Sequence, residues 1–242
     1  MYGRALRPAK RYSKALLRRL AQRSVVASLY SDDFTRADEN PVTGLSQADP
    51  TNLKFLRVVG NRVFGTTTAA AGGSGPYNDS NGYKTGFGND HEVEITIYKN
   101  PAAAGSPNLE IECLLRWSDT GSPRTTSVGT TSAQGYELNL QHAGSYWILA
   151  WFMEPGECTR SSSVPTPVSG DKIRARIVGN VISVYYRPVS TGIEALNFTF
   201  TDTTGAGGGA LYTTGNPGIG TYVDNGGVLT DFGIEDVVFR AL

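Results

Sequence analysis

"DKIRARIVGNVISVYYR", residues 171–187, is the stretch whose reading decides the fold. Apolar and polar residues alternate on both sides of Gly179-Asn180, the two residues expected to supply the positive-φ turn positions, so the segment reads as a β-hairpin with Arg174 and Arg176 on its non-core side. The same period of two recurs outward in both directions. In "HEVEITIYK", residues 91–99, Val93, Ile95 and Ile97 share one face and Glu92, Glu94, Thr96 and Tyr98 the other. "LEIECLLRW" (109–117) puts Ile111, Cys113 and Leu115 inward and Glu110 and Glu112 outward. "GYELNLQHAGSYWILAWF" (135–152) reads as a second hairpin, with Tyr136, Leu138 and Leu140 opposing Glu137, Asn139 and Gln141 and a turn at Ala143-Gly144. "LRVVGNRVFG" turns at Gly60-Asn61, and "GIEALNFTF", "GIGTYV" and "DFGIEDVVF" add further short strands. An antiparallel sandwich or barrel follows.

Composition agrees. The chain of 242 residues has 29 Gly and 39% hydrophobic residues, a mixture suited to many short strands joined by tight turns rather than to a helical bundle. It is long enough for one large all-β domain to bury a core without metal or disulfide staples. Cys113 and Cys158 are too few for a disulfide scaffold and wrongly spaced for zinc; a bridge between them stays open at this stage. No apolar run is long enough for a membrane span, and the N-terminal segment lacks the unbroken apolar stretch of a secretory signal.

That segment is the second informative feature. Arg4, Arg7, Lys10, Arg11, Lys14, Arg18, Arg19 and Arg23 lie in a stretch with no acidic residue, while Tyr12, Leu16 and Leu20 recur every four positions after Pro8. The spacing predicts an amphipathic basic helix, an arm over residues 1–30 joined to a domain over 31–242. The chain has 22 Lys and Arg against 22 Asp and Glu; with eight cations and no anion in the arm, the remainder has an excess of eight negative charges. The favoured reading is docking of the arm on an acidic protein surface, in copies of this chain or in a larger assembly. Nucleic-acid contact by the arm is the weaker alternative, because no recognition motif accompanies the Arg and Lys residues.

Taken in order, "DDFTRAD" (32–38), "GNRVFG" (60–65), "GYELNL" (135–140), "GDKIRARIVGNVISVYY" (170–186), "GNPGIG" (215–220) and "DFGIEDVVF" (231–239) resemble the concanavalin A-like (laminin-G-like) lectin and glucanase jelly rolls over Ser31–Leu242. The resemblance implies a two-sheet antiparallel β-sandwich with a concave face that often binds sugars. It also implies a structural calcium near the first and last strands, with Asp32, Asp33 and Asp231 as candidate ligands, and no other cofactor. It fixes no activity, because this architecture serves lectins, glycosidases, lyases and structural modules alike.

Two carboxylates across a groove would serve a glycosidase. However, neither "EVEIT" nor "EIECL" has the Glu-x-Asp-x-Glu strand of the glucanases, so ion pairs between the Glu and Arg residues of a wetted face are the expectation. The glycan-binding or interface candidates are Trp147, Trp151, Glu137, Asn139, Arg174 and Arg176. His91 projects from the face opposite Glu92, and "GAGGGA" lacks the Lys-Ser/Thr of a phosphate loop. No nucleophile elbow or catalytic set emerges. The sequence therefore predicts a non-enzymatic virion component of tailed-phage type, a capsid decoration, fibre or tail subunit. Its basic arm would hold other virion proteins or copies of itself, and its lectin-like domain would touch host glycans; a glycoside hydrolase, a polysaccharide lyase or a freestanding lectin is the alternative.

Overall fold

A computed structural model describes residues 28–68, 79–102, 108–126, 129–151, 156–161, 165–203 and 211–242, the stretches 123–126, 146–151 and 156–161 and residue 129 by backbone path alone. The predicted helical arm lies outside the described residues. Among them fourteen strands form two antiparallel sheets.

The larger sheet takes β1 (Leu29–Asp32), β2 (Leu56–Val58), β3 (Val63–Gly65), β5 (His91–Lys99), β10 (Lys172–Val178), β11 (Val181–Arg187), β12 (Ala195–Thr201) and β14 (Phe232–Ala241), in the order β12-β11-β10-β5-β14-β3-β2 with β1 also on β14. The smaller takes β4 (Ser80–Tyr83), β6 (Leu109–Thr126), β7 (Gly129–Gln141), β8 (Tyr146–Trp151), β9 (Gly156–Ser161) and β13 (Asn216–Val223), in the order β4-β13-β6-β7-β8-β9.

The alternation read from the sequence sets which face each sheet buries. Val93, Ile95, Ile97, Ile173, Ala175, Ile177, Val237 and Phe239 from one sheet meet Ile111, Cys113, Leu115, Tyr136, Leu138, Leu140 and Ile219 from the other in one fully buried cluster. Shifting any of these strands by one residue would expose its apolar row, so burial fixes register. Cys113 is a free thiol inside this core. Cys158 belongs to β9, three strands from β6 in the sheet order. At about 4.8 Å per strand that separation far exceeds the reach of a disulfide, so the Cys113–Cys158 bridge is ruled out.

Of the two predicted turns, one follows its sequence signal at both residues and the other at its glycine only. Gly60 and Asn61 both take positive φ, +57° and +62°, and Val59 and Arg62 exchange both backbone hydrogen bonds, closing a two-residue hairpin. In the β10–β11 hairpin only Gly179 does so, at +58°. Asn180 instead donates through its side-chain amide to the Asp202 carbonyl at 2.7 Å.

Near β4 the chain also folds over the outer face of the smaller sheet. Ala48, Leu53, Leu114, Trp117 and Ala133 form a second buried cluster there. Asn81 pins the fold-over: its Oδ1 accepts from the Ala48 N–H at 2.9 Å and the Trp117 indole N–H at 3.3 Å, and its Nδ2 donates to the Ala48 carbonyl at 3.1 Å.

Candidate functional site

Outward positions of the smaller sheet line up in rows across its strands. One row runs Asn81, Gly220, Glu112, Asn139, Trp147; the next holds Tyr222, Glu110 and Gln141; a third joins Leu114 to Glu137. Glu110, Glu112 and Glu137 therefore converge, and one carboxylate oxygen from each lies within 4.8 Å of the others. The fold-over at Asn81 and Leu114 walls this patch on one side.

Burial makes the convergence costly. Glu112 is 1% exposed, Glu137 3% and Asn139 4%, with Asp79 also buried nearby, whereas Glu110, Gln141 and Tyr222 are half-buried at the rim. Asn139 stitches the patch together, its Nδ2 donating to Glu110 Oε2 at 3.2 Å and to Glu137 Oε1 at 3.3 Å, while Gln141 Nε2 donates to Glu110 Oε1 at 3.0 Å. Among the described residues Glu112 Oε1 and Asn139 Oδ1 have no hydrogen-bond partner. Glu112 lies flat across β13, where a Cβ on Gly220 would come within 1.9 Å of its Oε2. Only glycine leaves room for it.

Among the described residues no ion pair joins Glu110 or Glu112 to a cation. Burial, followed by the Asp224 charge, pushes the Glu110 carboxyl up to about 7, against the pull of the Gln141 hydrogen bond. Glu112 is raised as well, by burial and then by the charges of Glu137, Asp79 and Glu110; Asp79 is raised by burial, Glu137 and Glu110. Three or four carboxylates held this close cannot all stay ionised without a proton or a cation among them.

The larger sheet's outer face is different in kind. Glu92 accepts from Arg174 at 2.8 Å and Arg240 at 2.9 Å, and Arg174 also pairs with Glu194 and stacks over the Tyr185 ring at 4.0 Å. Lys172, Arg187 and Arg240 reach Glu94 at 3.7 Å. The expected ion-pair face is thus found on this sheet, where Arg176 stands opposite Glu92 in register. It does not extend to Glu110, Glu112 and Glu137, which belong to the other sheet.

The predicted binding set is divided accordingly. Glu137 and Asn139 lie in the carboxylate patch, with Trp147 opposite Asn139 and Trp151 opposite Gly135 in register. Arg174 and Arg176 lie on the opposite side of the sandwich and cannot share a ligand with them. The calcium candidates do not converge either: Asp32 pairs with Arg36 at 2.7 Å, Asp33 accepts from the Thr35 N–H, and Asp231 accepts from Asn100 Nδ2 at 2.7 Å. Asp32 sits opposite Val237, six residues along β14 from Asp231, roughly 20 Å at strand rise. The arm residues Arg4 to Arg23 lie outside the described residues.

Sequence reasoning missed Asp79, Gln141 and Gly220, and assigned Glu110 and Glu112 to ion pairs. The signal was present as two outward rows, Glu-x-Glu in β6 and Glu-x-Asn-x-Gln in β7, on consecutive strands. Their register depends on the connection between them, which the sequence does not specify.

No family model matches the sequence, and no curated protein matches it. Solved structures do. The carbohydrate-binding module CBM66 from Bacillus subtilis superposes with a TM-score of 0.50 at 13% identity, over 82% of this chain and 93% of that one. The CBM2 module of the evolved Dit protein of Lactobacillus casei BL23 phage J-1 gives 0.52 at 10% identity, over 88% and 96%. A legume lectin-like domain from Entamoeba histolytica gives 0.51 at 10% identity, over 82% and 90%. The chain is a two-sheet antiparallel β-sandwich with the concanavalin A-like lectin and glucanase fold.

Proposed function

We propose that this protein is a glycan-recognising, non-enzymatic adhesion component of a virion, held in the particle by its basic N-terminal arm and binding sugar on the outer face of its smaller sheet. The observation that carries the reading is the patch of Glu110, Glu112, Glu137, Asn139 and Gln141. It gathers carboxylates and amides, the acceptors and donors that sugar hydroxyls match, with Glu110, Gln141 and Tyr222 reachable at its rim. Similarity in fold to two carbohydrate-binding modules, one from a phage Dit protein, supports the same reading, as does the charge division between arm and body.

A glycoside hydrolase is the second reading, favoured by carboxylates at roughly the spacing of retaining enzymes and by the raised Glu110. Burial favours the first reading. Glu112 and Glu137 are too enclosed to reach a glycosidic oxygen, which leaves Glu110 without an accessible second carboxylate. Screening the full chain on a polysaccharide panel tests both readings: saturable binding without new reducing ends is expected. New reducing ends that vanish in Glu110→Gln would establish the hydrolase instead.

A further inference from the structure

We infer that Glu110, Glu112 and Glu137 hold a hard divalent cation, of calcium size, at the centre of the smaller sheet's outer face. This site differs from the Asp32, Asp33 and Asp231 set implied by resemblance, and it does not depend on whether the face binds sugar.

Four observations carry it. One oxygen from each of the three glutamates lies within 4.8 Å of the others, no farther apart than opposite sides of a coordination sphere with oxygens at about 2.3–2.6 Å. All the donors are oxygens, the set that selects calcium, magnesium or manganese over zinc or copper; the span suits calcium better than magnesium, which draws its oxygens to about 2.1 Å. Glu112 Oε1, on a side chain 1% exposed, has no hydrogen-bond partner among the described residues, and a buried acceptor left so is costly unless something else meets it. Asn139 turns its Nδ2 to both Glu110 and Glu137 and holds the two carboxylates in place from outside the ligand set.

The surrounding chain supports the same assignment. Gly220 gives Glu112 room to lie across β13, and Gln141 holds the second oxygen of Glu110 at 3.0 Å, an outer partner that orients a ligand. The ion-paired glutamates of the larger sheet show how this chain neutralises carboxylates with arginine, and Glu110 and Glu112 lack that arrangement among the described residues.

Calorimetric titration of calcium chloride into chelator-treated full-length protein, with thermal melting in parallel, tests the site. Expected are one calcium per chain and a rise in Tm. Glu112→Gln should weaken calcium binding more than tenfold and Asn139→Ala measurably, while Glu94→Gln on the opposite sheet leaves it unchanged. Glu112→Gln should also melt no lower than the wild type in chelator, because it removes mutual repulsion, so its loss of calcium is not a loss of fold. If calcium neither binds nor shifts Tm, or if Glu112→Gln binds it as the wild type does, the inference is overturned. Calcium binding without any glycan hit would leave the cation site standing and remove the adhesion reading; glycan binding indifferent to chelator and calcium would do the reverse.

Discussion

Gly220 shows how a single residue governs the site. Replacing it with alanine drives a methyl into Glu112, and the carboxylate must leave its place across β13. We expect Gly220→Ala to cost about 1–3 kcal/mol in chemical denaturation and to weaken ligand binding with it; an alanine variant with unchanged stability and binding would show that the close approach is unimportant. His91 makes a separate prediction. Its ring accepts from the Arg116 backbone N–H at 3.1 Å and meets the Gly88 carbonyl at 2.8 Å, so it is held neutral, and burial pulls its pKa down to about 4. A folded pKa below the unfolded value of about 6.5 means that the stability is present above pH 6.5 and is lost as pH falls toward 4, up to about 3 kcal/mol in all. The raised carboxylates act with the opposite sign, so the test is a difference: denaturant midpoints of wild type and His91→Gln should converge between pH 7 and pH 4.5. Parallel curves would contradict it. His91 on the core side of β5 was legible from alternation. The unusual backbone of Arg116, at φ +51°, was not, because it arises from a bulge between Leu115 and Ser118 that only the neighbouring strand imposes.

At the scale of strands, alternation was a dependable guide wherever one face is buried. β5, β10, β6 and β7 present the residues read from the sequence, and Gly60-Asn61 makes the turn its composition indicates. The length of β6 was the failure. It runs to Thr126 through Ser118, Asp119, Gly121, Ser122 and Pro123, residues that normally end strands. Its register with β7 shifts twice, between Leu115 and Ser118 and again between Asp119 and Arg124. Local chemistry there says turn, and the strand bulges to accommodate it: Gly121 takes φ +66° within the second shift, and pairing with β7 resumes at Arg124. That same pairing sets Glu110 opposite Gln141 and Glu112 opposite Asn139, so the site was legible as two outward rows but not as one patch. The ladder on the larger sheet makes the opposite prediction. Arg174→Ala removes partners from Glu92 and Glu194 on a wetted surface, and it should cost no more than about 1–2 kcal/mol in melting experiments while leaving ligand binding intact. A larger loss would mean that this face carries more than ion pairs.

For the whole molecule, the division of charge between arm and body organises the functional reading. Deleting residues 1–23 should abolish incorporation into the particle while leaving the sandwich cooperative in thermal melting. Unchanged incorporation would remove the anchoring role. Within the sandwich the two outer faces have separate chemistries, one neutralised by arginine and the other gathering carboxylates and amides. The claim that the second is the working surface is tested most directly by measuring the affinity of the best glycan from an array for wild type, Asn139→Ala and Arg174→Ala side by side. The account predicts that Asn139→Ala loses at least tenfold and Arg174→Ala binds as the wild type does. Retained binding in Asn139→Ala, with loss in Arg174→Ala, would place recognition on the other sheet and contradict it.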